Sequence, residues 1–225
     1  MMEKLYRRFD ILSYKRLLKM QSQKKKEFFD VDGCGLEIEI AVNYEYRCRK
    51  YIATGLKKLK EAVGNYGKFV PDRTIGSDLN VEIVLVPLDQ YHLEQLLKSI
   101  KEIVNFYENF SFDENCGVHA NFRADDSLKR CFYDVLLNGY DSDRFLHNKY
   151  KTDFMATASG PDGVMCYDEY IDFQKCVSSK YAGVNFLKNK LVEIRTLDMN
   201  WENIVYVIGL YERAKALLYE KNEAV

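Results

Sequence analysis

Glutamates recur in short stretches of this chain in which polar and aliphatic side chains alternate. In residues 35–40, Glu37 and Glu39 are separated by single aliphatic residues. Successive side chains of a β-strand point to opposite faces, so the two carboxylates would share one face about 6–7 Å apart. The pattern predicts a strand that presents two acids. Either a solvent-facing edge or a metal site explains them.

The same alternation returns three times, in residues 80–87, 116–123 and 191–197. The polar positions in these stretches are Glu82, His119, Asn121, Arg123, Glu193 and Arg195. Two carboxylates about 5 Å apart repel by about 3 kcal/mol at an effective dielectric constant near 20. Glutamates gathered on one surface therefore require cations, and Mg²⁺ or Mn²⁺ with oxygen ligands meets that need. A face exposed only to water would carry more lysine, serine and threonine than this one.

Helical periodicity separates the predicted strands. Apolar residues recur at three- and four-residue spacing in 45–63, 89–107, around 128–137 and in 201–221. Asp89 is the expected N-cap of the second helix. The last helix is expected to bury Ile204, Val205, Ile208, Tyr211 and Leu217. Alternating strands and helices predict a sheet whose aliphatic face lies under the helices and whose opposite face gathers the polar side chains.

Two regions differ from this pattern. Residues 1–27 are basic and have roughly helical spacing of apolar residues, which predicts a helical arm that is solvated, packed on the domain or in contact with a partner. Residues 138–180 are polar, rich in tyrosine and irregular, as is typical of binding loops and active-site lids. We expect this segment to set substrate choice and residues 28–225 to form one domain.

Composition argues against two classes of partner, nucleic acids and membranes. The 33 basic and 34 acidic residues give a formal net charge of −1, which does not favour nucleic acid. No apolar run is long enough for a membrane helix, so we expect neither a membrane nor a nucleic-acid partner. The six cysteines lack metal-binding spacing and predict reduced thiols in a cytoplasmic protein. The oligomeric state stays open.

Taken in order, the motifs resemble those of the amidoligases, which are carboxylate–amine ligases of the glutamine synthetase and glutamate–cysteine ligase fold. The resemblance covers residues 35–212. Its elements are Gly-x-Glu-x-Glu at Gly35, Glu37 and Glu39; a turn at Asp72 before the Glu82 strand; Gly-x-His-x-His at Gly117, His119 and Asn121; Tyr181 with Asn185; and Glu-x-Arg at Glu193 and Arg195. Arg73 replaces a usual glycine, and Asn121 stands in the place of the second histidine.

The resemblance implies a fold and a chemistry. The fold would be α+β, with a curved, mainly antiparallel sheet, helices on one face and a concave polar active-site face, like the catalytic domain of glutamine synthetase. ATP would phosphorylate a substrate carboxylate, and an amine would then displace phosphate to leave an amide. The substrates would be small-molecule or peptide carboxylates and amines.

The resemblance also implies roles for the polar residues. Glu37, Glu39, Glu82 and Glu193 would bind two or three Mg²⁺ or Mn²⁺ ions, with His119 as a further ligand or near the ATP phosphates. Asn121 would contact the nucleotide, and Arg195 would hold the transferring phosphoryl group or the substrate carboxylate. Asp72 would orient the amine or join the metal ligands, and Arg123 would be a second phosphate contact.

Two alternatives remain from the residues alone. The same carboxylates would also serve another divalent-metal enzyme, such as a phosphohydrolase. A non-catalytic protein that keeps the fold is the second alternative. A thiol nucleophile at Cys34 or Cys116 is not expected, because no histidine and asparagine are arranged to activate it.

Overall fold

The computed structural model describes residues 33–45, 48–71, 79–112, 116–139, 184–186 and 188–223. The predicted arm at 1–27, Asp72, Arg73, Tyr181 and nearly all of the 138–180 segment lie outside the described residues. The predictions made for them therefore stay predictions.

Within the described residues, seven strands form one sheet. They are β1 (Gly35–Val42), β2 (Gly67–Pro71), β3 (Leu79–Leu85), β4 (Phe110–Ser111), β5 (Val118–Arg123), β6 (Val184–Asn185) and β7 (Leu191–Leu197). The strand order is β2-β3-β1-β5-β7-β6, and β4 pairs with the end of β1. Each of these pairings is antiparallel. The sheet therefore places β1, β5 and β7 side by side.

The four strands predicted from alternation are confirmed as β1, β3, β5 and β7. β2, at Gly67–Pro71, was not predicted from the sequence. Its glycine and its proline are typical of turns. β2 pairs only with β3 in the described sheet, and a strand at a sheet edge tolerates proline because one side of its backbone needs no ladder partner.

Four helices accompany the sheet in the described part of the chain: α1 (Arg49–Val63), α2 (Gln90–Phe106), α3 (Asp126–Gly139) and α4 (Trp201–Glu223). The Asp89 side chain accepts a hydrogen bond of 3.0 Å from the backbone N–H of His92, which confirms the predicted N-cap of α2. The predicted apolar stripes of α1 and α2 are also buried.

The predicted buried face of α4 was partly wrong. Ile204 and Tyr211 are buried as expected, together with Val207, Leu210 and Ala214. The other three predicted positions, Val205, Ile208 and Leu217, are only partly buried. Apolar residues surround most of this helix, so their spacing does not select a single face.

The helices cover the aliphatic side of the sheet. Leu36, Ile38 and Ile40 of β1 are completely buried in the hydrophobic core that also holds the apolar residues of the helices. Phe122 of β5 stacks on Tyr211 of α4, with ring centroids 4.6 Å apart. The α+β class and the antiparallel sheet are therefore confirmed. No described helix has the length and apolar character that crossing a membrane requires.

Candidate metal centre

The strand register brings the predicted polar residues onto one face. Residues directly opposite each other in an antiparallel pair have neighbouring side chains on the same face. The opposed pairs are Glu37–His119 between β1 and β5, Asn121–Glu193 between β5 and β7, and Glu39–Glu82 between β1 and β3. Residues that are far apart in the sequence thus become neighbours across three strand pairings.

Glu37, His119 and Glu193 form the centre of this face. One possible ligand atom from each residue lies within 4.8 Å of the others. His119 Nδ1 is 3.3 Å from Glu37 Oε2 and 3.7 Å from Glu193 Oε1. His119 and Glu193 are almost fully buried, whereas the Glu37 side chain is 20% exposed. The cluster therefore has one partly open side.

These distances can be compared with those in a magnesium site. Octahedral ligands about 2.1 Å from the ion lie about 3.0 Å apart when adjacent and about 4.2 Å apart when opposite. The two His119 distances fall between these values. Small side-chain movements would therefore suffice for all three residues to reach one ion, and the donor set fits a divalent cation.

Glu39 lies at the other nitrogen of the imidazole ring. Its Oε1 is 3.7 Å from His119 Nε2, and its Oε2 accepts a hydrogen bond of 2.8 Å from the backbone N–H of Gly117. Metal-bound histidines usually donate their second ring N–H to a carboxylate or a carbonyl group. Glu39 thus lies on the Nε2 side of the ring, at a distance longer than a hydrogen bond, while Glu37 and Glu193 lie on the Nδ1 side. Its predicted role as a direct ligand stays a prediction.

Lys188 is a site residue that the sequence pattern missed. Its Nζ is 2.8 Å from Glu193 Oε1, 3.6 Å from Glu37 Oε1 and 3.4 Å from Asn121 Oδ1. Strand alternation counted back from Glu193 would place position 188 on the aliphatic side. The turn before β7, in which Lys190 has a φ of 55°, interrupts that alternation. The polar face is therefore not as poor in lysine as the strands alone indicated.

A second lysine holds the turn that carries Lys188. Lys129 of α3 is only 3% exposed. Its Nζ donates hydrogen bonds of 3.0 Å to the carbonyl oxygen of Phe186 and 2.8 Å to that of Lys188. Hydrogen bonds from charged donors are stronger than neutral ones. The turn is therefore fixed to the helical layer.

Charge balance keeps Glu37 ionised. Burial opposes ionisation, but the hydrogen bond with His119 and the positive charge of Lys188 outweigh it and lower the pKa of Glu37 from 4.5 to about 2. A hydrogen bond with Glu82 acts in the same direction. A metal ligand must be deprotonated, so Glu37 is ready to bind a cation at neutral pH.

The remaining predicted residues divide into two groups. Asn121 Nδ2 donates to Glu37 Oε1 at 3.2 Å, and Arg195 Nη1 is 3.6 Å from Glu193 Oε2. Asn185 Nδ2 also donates to Glu193 Oε2, at 3.1 Å. In contrast, Arg123 is exposed at the end of β5, and no ion pair within the described residues joins its side chain to the cluster.

Cys34 precedes β1 and is buried. Burial raises the pKa of its thiol well above the ordinary range, which disfavours the nucleophilic thiolate. The chemistry of this face therefore comes from its carboxylates, imidazole and cations.

A scan against protein-family models and a search of curated proteins found no match for this chain.

Proposed function

We propose that this protein is an ATP- and Mg²⁺-dependent carboxylate–amine ligase that acts through an acyl phosphate, with Mn²⁺ as an alternative ion. One observation carries the proposal: the possible ligand atoms of Glu37, His119 and Glu193, from three different strands, lie within 4.8 Å of one another. The three sequence motifs that most resemble amidoligases lie on or at the start of those strands. The glutamine synthetase-like fold is part of the same proposal.

The donor set supports magnesium or manganese. Carboxylate oxygens suit these hard ions, and one imidazole ligand is compatible with Mn²⁺. Glu37, His119 and Glu193 would hold the divalent ion, which would supply positive charge to neutralise phosphate oxygens during phosphoryl transfer. The chain's own contribution is to hold Glu37 ionised, which His119 and Lys188 favour, and to place His119 Nδ1 toward Glu37 and Glu193.

The proposed reaction has two steps. A substrate carboxylate oxygen attacks the γ-phosphorus of ATP, which breaks the bond to ADP and gives an acyl phosphate. The amine nitrogen then attacks the acyl carbon, the bond to phosphate breaks, and phosphate leaves with the electron pair while the nitrogen loses a proton. Arg195 is suited to pair with a carboxylate or phosphoryl group because its planar guanidinium offers parallel donors.

The proposal is tested by ADP release. The protein is incubated with ATP, Mg²⁺ and pools of amino acids or short peptides, with the carboxylate and the amine supplied separately and together. We expect ADP only when both are present. Glu193→Gln should reduce turnover at least about 100-fold because it removes a charge that positions the reacting groups. Glu102→Gln, at an exposed position of α2, should leave turnover unchanged.

The contradicting outcomes are distinct. ADP release that does not depend on an amine would identify a metal-dependent phosphohydrolase instead. Binding of Mg²⁺ without turnover in any pool would favour a non-catalytic protein. Full activity of Glu193→Gln would show that the cluster is not the site of the reaction.

A further inference from the structure

We infer that Lys188 is an internal cation of the candidate metal centre, which a divalent ion must displace from Glu193 and Glu37. The inference rests on the proposed function and adds that the Lys188 side chain lowers the affinity of the site for divalent ions. Removing the Lys188 charge should therefore strengthen the binding of Mg²⁺ or Mn²⁺.

The contacts of Glu193 carry the first step. Its Oε1 faces His119 Nδ1 and also accepts the hydrogen bond from Lys188 at 2.8 Å. Its Oε2 is already engaged by Asn185 at 3.1 Å and faces Arg195 at 3.6 Å. An ion placed between His119 and Glu193 therefore needs the oxygen that Lys188 holds.

The contacts of Glu37 lead to the same conclusion, because Lys188 also lies near one of its carboxylate oxygens. Its Oε2 faces His119 at 3.3 Å, and its Oε1 lies 3.6 Å from Lys188 Nζ. The ammonium group thus lies between the two carboxylates that a divalent ion would bridge. A lysine ammonium is a compact positive charge, so it can neutralise these carboxylates when no metal is bound. Ammonium and metal ion repel each other at such short range.

The structure also allows the displacement. The backbone of Lys188 is held by the buried Lys129, which donates to the Lys188 carbonyl oxygen at 2.8 Å. The Lys188 side chain, however, is 35% exposed, and four flexible carbon atoms separate its charge from the backbone. The ammonium group can therefore move toward solvent while the turn keeps its position.

The test is a Mn²⁺ titration of the full chain, followed by electron paramagnetic resonance of the free ion. The proteins compared are the wild type, Lys188→Met and Lys190→Met. Lys190 is exposed in the same turn, so its substitution removes an equal charge without touching the cluster. We expect Lys188→Met to bind Mn²⁺ at least about tenfold more tightly than the wild type, and Lys190→Met to differ by less than about twofold.

The inference and the proposed function fail in different ways. If the wild type binds Mn²⁺ and Lys188→Met binds it no more tightly, the inference is overturned and the metal centre stands. If none of the three proteins binds Mn²⁺, both are overturned.

A folding defect is also informative. If circular dichroism shows Lys188→Met unfolded without divalent ions, the inference predicts that Mn²⁺ restores the fold and that Na⁺ at equal ionic strength does not. Failure of Mn²⁺ to restore it would overturn the inference, because the vacated carboxylates would not have accepted the ion in place of the ammonium group.

Discussion

Glu37 shows how a carboxylate remains charged in a largely buried position. Burial by itself would raise its pKa. His119 and Lys188 reverse the balance, and the pKa falls to about 2. The free energy of unfolding should therefore depend on whether Glu37 is protonated.

This link predicts a pH dependence. The folded-state pKa of Glu37, about 2, is below its ordinary value of 4.5. Ionised Glu37 therefore stabilises the fold above pH 4.5, and this contribution is lost as the pH falls through about 2. In urea unfolding with EDTA present, the stability difference between the wild type and Glu37→Gln should shrink by about 2–3 kcal/mol from pH 6 to pH 2.

The control for this measurement is Glu102→Gln, which removes an exposed carboxylate of α2. A pH-independent difference for Glu37→Gln would contradict the assigned charge balance.

Individual site residues differed in how well the sequence predicted their positions. Glu37, Glu39, His119 and Glu193 lie in strands, where a period of two residues determines the face. Lys188 lies in a turn, so no periodicity applied to it. Its position depends on a hydrogen bond from Lys129, a residue far away in the sequence. Alternation thus predicts residues within strands and misses those that loops bring to the site.

At the scale of elements, the start of β1 depends on a close backbone approach. Cys34 and Leu88 exchange two backbone hydrogen bonds of 3.1 Å. A Cβ atom on Gly33 would lie 2.5 Å from the Leu88 carbonyl oxygen, which is too close for any non-glycine residue. Gly33 therefore permits the strand that carries Glu37 and Glu39 to enter the sheet.

Gly33→Ala should lower the free energy of unfolding by about 1–3 kcal/mol, because the clash is with backbone rather than with a flexible side chain. Gly209→Ala is the matched control, since a Cβ atom at this position of α4 meets no atom within 4 Å. It should raise stability by up to about 1 kcal/mol through helix propensity. Urea unfolding measures both changes. Equal stability of Gly33→Ala and the wild type would contradict the close approach of the Gly33 and Leu88 backbones.

Element prediction succeeded where periodic patterns were long. The stripe of α2, with Leu93, Leu97, Ile100 and Val104 buried, extends over about three turns and is unambiguous. The two-residue strands β4 and β6 are too short to show any period, and β2 carries the glycine and proline of a turn. These strands form through pairing with longer neighbours, which local sequence does not encode.

At the scale of the molecule, strand order assembles the candidate site. β1, β5 and β7 are neighbours in the sheet although about 80 residues separate Glu37 from His119 and about 70 more separate His119 from Glu193. Alternation predicted that each strand has a polar face but not which strands pair. The sheet supplies that order, and the cluster depends on it.

The most direct test of the central claim is anomalous diffraction at the manganese edge from crystals of the wild-type protein saturated with Mn²⁺. We expect a peak about 2.0–2.3 Å from Glu37, His119 Nδ1 and Glu193, with Lys188 moved away from both carboxylates. Ordered crystals in which manganese binds elsewhere, or in which no peak lies among these three residues, would contradict it.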